Sequence, residues 1–430
     1  MPKGKKKGKY EHRRTEQVYS SDEDGGIDMT IDNCSETSAL SDLKSNHDDA
    51  DNEAQEKFEE KVSEIIDALS ARSNEARAAA LVSLRAALQR RPLEALLAPQ
   101  RATLADHVAR ALRRGKDRER RAAAGIAPIL ALQIGEEGSE EFVREVRPAL
   151  THTATDKSVS IETRTECCSS LAILCYLMED DLSEILEVMR MFETIFSGSY
   201  LKGDGSVKVS GAVVEEGAWH GAALDGWALL LPLLAPAHAL SLLTNEQPSF
   251  AKLAELLDAC SLEVRMAAGG AVAVAHESIA ETSAEAAAGA AAAVRARLAA
   301  LATDSHKYRA KRDRKLQRAT FRDILKYFEE GSVPVVLVRV GAESAELESW
   351  GGGAAYGALA AALGGGLQAL APAAPRLRAA LGLPDAPPAP LAPLRKPNKL
   401  QRHLQNNAAC KARTLARNKN RDKRSAALAV

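Results

Sequence analysis

Aromatic side chains are scarce in this chain: they make up 4% of its 430 residues, although 46% of the residues are hydrophobic. A core with so few rings must be filled largely by Ala and Leu, which favours helices over sheets. The six cysteines (Cys34, Cys167, Cys168, Cys175, Cys260, Cys410) form no C-x-x-C pair and no disulfide-framework spacing. Reduced thiols in an intracellular protein are therefore expected. No apolar stretch follows the basic start, and none is long enough to span a bilayer, so neither a secretory signal nor a membrane partner is expected.

The marks of common active sites are missing too. The glycine runs Gly351–Gly353 and Gly364–Gly366 match neither a phosphate loop with its G-K-[ST] nor a dinucleotide fingerprint after a strand. None of the nine histidines makes a metal-ligand motif with a second His or a Cys. His220 and His276 fall in expected helices and read as core or boundary residues. Cys167, Cys168 and Cys175 read as buried small hydrophobes. Trp219 and Trp227 read as the core of one helix; a base-stacking platform needs exposed aromatics in a basic setting, which only Tyr308 has. No enzyme activity, catalytic residue, metal, cofactor or small-molecule substrate is expected.

Charge is plentiful but segregated, so the net charge of −1 conceals the pattern. Met1–Arg14 is strongly basic. Asp22–Glu60 is strongly acidic, with only Lys44 and Lys57 against it. His306–Arg318 and the C-terminus are basic again. Such blocks suit polyelectrolyte partners or internal pairing. Residues 1–55 lack the large apolar groups that would offset chain entropy, and they read as a disordered tail. Within it, SSDED makes Ser20 and Ser21 candidate sites for an acid-directed kinase.

From Phe58 the pattern turns helical, and one phrase recurs: SNEARAAALVSLRAAL from Ser73, DRERRAAAGIAPILAL from Asp117, SIETRTECCSSLAILC from Ser160 and SLEVRMAAGGAVAVAH from Ser261. Ser or Asp stands at the expected N-cap, Glu follows two residues later, then Arg (Arg77, Arg121, Arg164, Arg265). The starts lie 44, 43 and 101 residues apart. The first two intervals match the period of armadillo and HEAT repeats. The third leaves room for further repeats around a loop, Gly198–Gly217, and a helix over Trp219–Leu234. Residues 56–330 are therefore expected to form an all-α, armadillo/HEAT-like α-solenoid whose groove offers a docking surface.

The helix from His306 is basic in its first half, with Lys307, Arg309, Lys311, Arg312, Arg314 and Lys315 as a candidate RNA-binding patch. Its second half places Phe321, Ile324, Leu325 and Phe328 on one face, and Gly331 ends it. Val335–Val340 reads as a short strand. Beyond it, the glycine runs and the Pro/Ala run from Ala371 to Pro393 argue against rigid packing. Residues 331–397 thus read as a small region and a tether. Residues 398–430 read as a basic helix and tail. Asn398–Arg424 sets nine Lys or Arg against Asp422 alone. On a helix, Lys399, Arg402, Arg413, Arg417, Arg421 and Arg424 fall within about a 100° arc, apart from Leu400, Leu404 and Leu415. That stripe suits a phosphate backbone. The acidic block Asp22–Glu60 could instead fold back on it, which at a Debye length of about 8 Å requires direct contact.

Several of these words resemble the interferon-related developmental regulator family. They are LATDSHKYRAKRDRKLQRATFRDIL (Leu301–Leu325), RHLQNNAACKARTLARNKNRDKR (Arg402–Arg424), the SDED of Ser21–Asp24, SYLKGD (Ser199–Asp204) and EVRMAAGGAVAVAHE (Glu263–Glu277). The resemblance implies an armadillo-like fold and no enzyme. It also implies translational repression by ribosome binding, with the C-terminal helix in the mRNA channel, and transcriptional co-regulation in differentiating cells. The ribosome-facing residues it points to are Arg402, His403, Lys411, Arg413, Arg417, Lys419, Arg421, Lys423 and Arg424. The expected partners are the ribosome and ribosomal RNA, with transcription or chromatin regulators on the solenoid groove as the alternative. The expected location is cytoplasmic with a nuclear pool.

Overall fold

The computed structural model describes residues 55–200, 215–246, 248–303 and 311–384. The chain divides into two units, Met1–Phe58 and Glu59–Val430. Of the first, only the helical residues 55–58 are described; the account below concerns the second.

Helices succeed one another almost without interruption: α1 (59–68), α2 (Asn74–Leu88), α3 (Glu94–Leu97), α4 (Arg101–Arg114), α5 (Asp117–Gln133), α6 (Glu136–Thr155), α7 (Ile161–Met178) and α8 (Leu182–Phe196). After the undescribed residues 201–214 come α9 (Gly217–Leu230), α10 (Pro236–Asn245), α11 (Phe250–Glu255), α12 (Leu262–Ala280), α13 (Ala284–Thr303) and α14 (Lys311–Glu330). They pack in two rows. An inner row runs α2, α5, α7, α9, α12, each against the next, while α4, α6 and α8 form an outer row. This is the all-α solenoid that the sequence predicts. No helix among the described residues is long and apolar enough to cross a membrane.

The recurring phrase opens inner-row helices, and its chemistry is now specific. Ser160 and Ser261 are N-caps whose hydroxyls accept from the Thr163 and Val264 amides, which satisfies a backbone donor that the helix leaves free. Ser73 is the N-cap of α2 but makes no such bond. The expected Asp117 cap is displaced by one residue: Lys116 is the N-cap of α5, and Asp117 begins the helix. Asp117 instead accepts a hydrogen bond from Ser160 Oγ at 2.6 Å, which ties the start of α5 to the start of α7.

The arginine that follows turns back on its own cap loop. Arg77 Nη1 donates to the Ala71 and Arg72 carbonyls, and Arg265 Nη1 to those of Ala259 and Cys260. Each guanidinium also reaches a neighbouring helix: Arg77 to Glu119 at 2.6 Å, Arg265 to Gln317 at 3.3 Å. Arg164 lies 4.1 Å above the Trp219 ring of α9. With the cap at Lys116, the corresponding residue in α5 is Arg120, whose Nη2 donates to Arg113 O, and not Arg121, which is exposed.

Small residues set the helix spacing. A Cβ at Gly269 would stand 2.9 Å from both Ile324 and Phe321, so α14 approaches α12 more closely than any larger side chain permits. Trp227, Cys167, Cys168 and Cys175 are buried, as expected. The Ala-rich α13 buries Ala287, Ala291, Val294, Leu298 and Ala302.

After Gly331 the expected short strand is present, and the structure beyond it is more regular than expected. Val336–Val340 (β1) pairs antiparallel with Glu343–Leu347 (β2), with Val338 opposite Ala345. Trp350–Leu363 (α15), Gly366–Leu370 (α16) and Pro375–Ala380 (α17) follow, so regular structure continues into the run that reads as a tether. The part beyond Pro384 lies outside the described residues. α15 lies across the inner row, against α5, α7, α9 and α12. From its own sequence it buries only Ala355, Leu359 and Leu363.

Charged groups on the array hold both ends of α15. Glu277 of α12 accepts from the Trp350 and Gly351 amides at 2.9 and 3.0 Å. Ser349 caps the Gly352 amide. At the other end Arg85 of α2 donates to Ala362 O at 2.8 Å. An anion at the N-terminus and a cation at the C-terminus both complement the helix dipole. Charge-assisted bonds of this kind contribute about 1.5–3 kcal/mol each. Glu277→Ala should lower urea stability by about 2–4 kcal/mol and speed hydrogen exchange at the Trp350 and Gly351 amides, with far-UV circular dichroism unchanged.

Candidate nucleic-acid interface

Of the basic residues singled out in the sequence, Lys311, Arg312, Arg314 and Lys315 lie in α14. Lys307 and Arg309 lie outside the described residues, as do Ser20, Ser21, Lys399, Arg402, His403, Lys411, Arg413, Arg417, Lys419, Arg421, Lys423 and Arg424.

α14 is amphipathic from Gln317 onward. Gln317, Phe321, Ile324, Tyr327 and Phe328 face the core. Tyr327 takes the place in the apolar stripe that the sequence suggested for Leu325, which is only half-buried. At about 100° per residue, Arg314, Arg318, Lys311, Arg322, Lys315 and Lys326 gather in an arc of about 120° that starts beside Phe321, with Arg314 and Arg318 half-buried, and runs round to the exposed side. They run along about 22 Å of helix. Arg318, Arg322 and Lys326 were missed when the basic patch was read as a contiguous run. The signal for them was helical spacing, since they continue from Lys311 and Lys315 at i+4 and i+7 intervals.

The stripe is held still and left available. Arg295 donates from Nε and Nη2 to Phe328 O at 3.2 and 2.9 Å, covering the last turn of α14. Gln317 is bound by Arg265, and His276 Nδ1 lies 2.9 Å from the Tyr327 hydroxyl. Arg318 Nε donates to Arg314 O at 3.2 Å. Among the described residues no carboxylate lies within ion-pairing distance of Lys311, Arg312, Lys315 or Arg322; Lys326 meets Glu330 only at 4.0 Å. Leu316 is 54% exposed beside them. An exposed row of cations spaced along a rigid helix suits salt-sensitive contact with phosphates.

The inner-row groove, expected to be a docking surface, is different. α15 already lies across it, so a partner seated on that row must displace the chain's own helix. The outer row carries no such cover from α15.

One polar cluster has the residue types of a hydrolytic relay. Ser199 Oγ lies 2.6 Å from His220 Nδ1, and His220 Nε2 lies 4.0 Å from Glu216. Ser199 and His220 are both buried, and the pair joins the turn Ser197–Ser199 to α9, on the two sides of residues 201–214. The link is architectural. Burial lowers the pKa of His220, and likewise of His276 and His107.

The sign of the pH effect follows. These imidazoles stay neutral in the fold but take a proton in the unfolded chain near the ordinary value of about 6.5. Their contribution is therefore complete above that value and is lost as pH falls through it. Glu193 runs the other way: burial raises it to about 7 despite a hydrogen bond from Trp227 Nε1 at 2.9 Å. Its neutral form is favoured, and its contribution declines as pH rises from the ordinary carboxylate range towards 7. In chemical denaturation followed from pH 7 to 5, the histidines lower stability towards acid while Glu193 raises it. His220→Asn, which has no proton to gain, should remove its share of the acid-side loss and leave a slope more favourable towards acid than that of the unaltered chain.

Comparison with known proteins fits this array and its basic blocks. The family model described as Interferon-related developmental regulator matches residues 30–329, and the one described as Interferon-related protein conserved region matches residues 377–425. Interferon-related developmental regulator 1 of Mus musculus is 34% identical over 418 residues, which is 96% of this chain and 91% of that protein. Interferon-related developmental regulator 2 of Mus musculus is 35% identical over 377 residues, 86% of this chain and 84% of that protein. The Homo sapiens regulator 1 is 32% identical over 420 residues, 96% and 91% of the two chains. With matches of this extent across both the helical array and the basic C-terminal block, the chain belongs to the interferon-related developmental regulator family.

Proposed function

We propose that this protein represses translation by binding the ribosome. The array carries the α14 stripe to ribosomal RNA, while Asn398–Arg424 enters an RNA-lined channel such as the mRNA channel. The observation that carries this reading is the row of exposed cations on α14, Lys311, Lys315, Arg322 and Lys326, running beside its buried face. Such a row contributes salt-sensitive affinity without sequence preference. The second basic block, with Arg402, Arg413, Arg417 and Arg421 on one helical face, has the same chemistry. Action at the ribosome places the protein in the cytoplasm, and the Lys-rich start suits a nuclear pool. The other reading, a nuclear co-regulator that gathers transcription or chromatin factors on the inner-row groove, is less favoured because α15 lies there.

Two variants test the reading. Arg413→Ala/Arg417→Ala/Arg421→Ala and Lys311→Ala/Lys315→Ala/Arg322→Ala should each weaken co-sedimentation with ribosomes by about tenfold or more near physiological salt. Both should fold normally, since none of the described side chains involved is buried. Co-sedimentation equal to that of the unaltered chain in both variants would refute the proposal. Recovery of transcription factors that survives ribonuclease and removal of residues 398–430 would favour the nuclear reading.

A further inference from the structure

A second cationic surface lies at the other end of the array. Between α4 and α5 the chain carries Arg110, Arg113, Arg114, Lys116, Arg118, Arg120 and Arg121 against two acids, Asp117 and Glu119. Both acids are engaged. Glu119 is buried and grips Arg77 at 2.6 and 2.9 Å. Asp117 takes the Ser160 hydroxyl at 2.6 Å. Arg113 and Arg118 make exposed ion pairs with Glu145 and Glu75, which at such exposure contribute little. Arg114, Lys116 and Arg121 are exposed, and among the described residues no carboxylate lies within ion-pairing distance of them.

The corner that displays them is rigid. Only Gly115 and Lys116 join the two helices. The Gly115 amide donates to Ala111 O at 2.8 Å, and a Cβ at Gly115 would lie 2.3 Å from that oxygen. Arg120 Nη2 then clips α5 to Arg113 O at 3.2 Å.

Stability alone does not account for the placement. Arg113 and Arg114 end α4, where a cation complements the dipole, but Lys116 and Arg118 stand at the positive start of α5 beside Asp117 and Glu119, with Arg121 a turn further on. Ser160, Ser249, Ser261 and Ser349 cap their helices with a hydroxyl that accepts an amide. Lys116 has no acceptor to offer. Asp117 and Glu119 meet the helix end in the first turn, and the corner around them remains electropositive.

We infer that the α4–α5 corner is a second contact for an RNA phosphate backbone, made chiefly by Arg114, Lys116 and Arg121. The inference rests on the reading of this chain as an RNA-contacting protein, but it concerns a different surface. Phosphate fits better than an acidic protein. None of the exposed large hydrophobic residues (Val82, Leu182, Leu233, Leu316, Val335, Leu337) belongs to the corner, whereas protein hot spots are built around an apolar or aromatic anchor. Guanidinium and ammonium groups without such an anchor match a charged, apolar-poor backbone.

The test uses the full chain and a mixed-sequence RNA duplex titrated between about 50 and 200 mM salt. Arg114→Gln/Lys116→Ser/Arg121→Gln should reduce the slope of log affinity against log salt by about 2–3, near 0.9 per lost phosphate contact. Lys116→Ser alone should reduce it by about 1 while raising the melting midpoint by about 1–3 °C, because serine caps the helix. Lys116→Arg should keep the full slope. Loss of binding with a gain in stability is a result that misfolding cannot produce. An unchanged slope in the corner triple variant overturns the inference. If the Arg413→Ala/Arg417→Ala/Arg421→Ala chain does lower the slope in that case, the ribosome reading survives without the corner. Weakened binding to polyglutamate alongside an unchanged RNA slope would assign the corner to an acidic protein and likewise overturn it.

Discussion

The later inner-row helices are apolar on nearly all sides over much of their length, and the architecture follows from the need to cover them. A helix that faces water on one side carries a polar stripe there, as α14 does. α7, α9 and α12 have none of comparable width: Leu171, Ala172, Ile173, Leu174 and Cys175 are buried in succession, as are Ala271–Ala275. Two neighbours in the row and the outer helices cover part of such a surface. α15 covers more of it, and it is positioned less by its own small side chains than by Glu277 and Arg85 at its two ends. Burial supplies the drive, and the charged end contacts fix where the covering helix sits.

The repeats were legible because they combine two independent signals, a capping serine and an apolar phrase at armadillo spacing. The one-residue error at Asp117 arose because Asp is a good cap by type, and nothing local reveals that Ser160, 43 residues on, binds it instead. The Gly/Ala-rich stretch from Trp350 was misread for a similar reason. Small residues signal looseness in isolation and close approach in a packed setting, and only the array distinguishes the two. The inner helices did hold a hint, since their continuous apolar runs imply a cover that no neighbouring repeat provides. In α14 the basic run was plain, but the stripe that extends it to Lys326 is periodic and interrupted by core residues. A reading by contiguity ends too early there.

The described surface therefore offers cations in two separated places, and they differ in kind. On α14 the charges flank a buried face and cost the helix little. At the α4–α5 corner they cluster where two helices meet, with Lys116 at the N-cap of α5. The inner-row groove, the surface most often credited with recognition in such arrays, is here largely internal to the protein.

Stacked-repeat proteins usually behave as one-dimensional chains, in which each unit depends on its neighbours and an end can fray alone. The contact from Arg85 to Ala362 spans 277 residues, and Glu277 grips the opposite end of the same helix. A helix fastened to an early and a late member of the row makes distant repeats share one fate. Unfolding should then be a single cooperative event across the array, and proteases should find few partly opened states. The same closure raises the mean sequence separation of native contacts and defers them to late in folding. A newly made array thus exists for a time with its apolar inner row uncovered, until residues 350–363 have been synthesised and have settled.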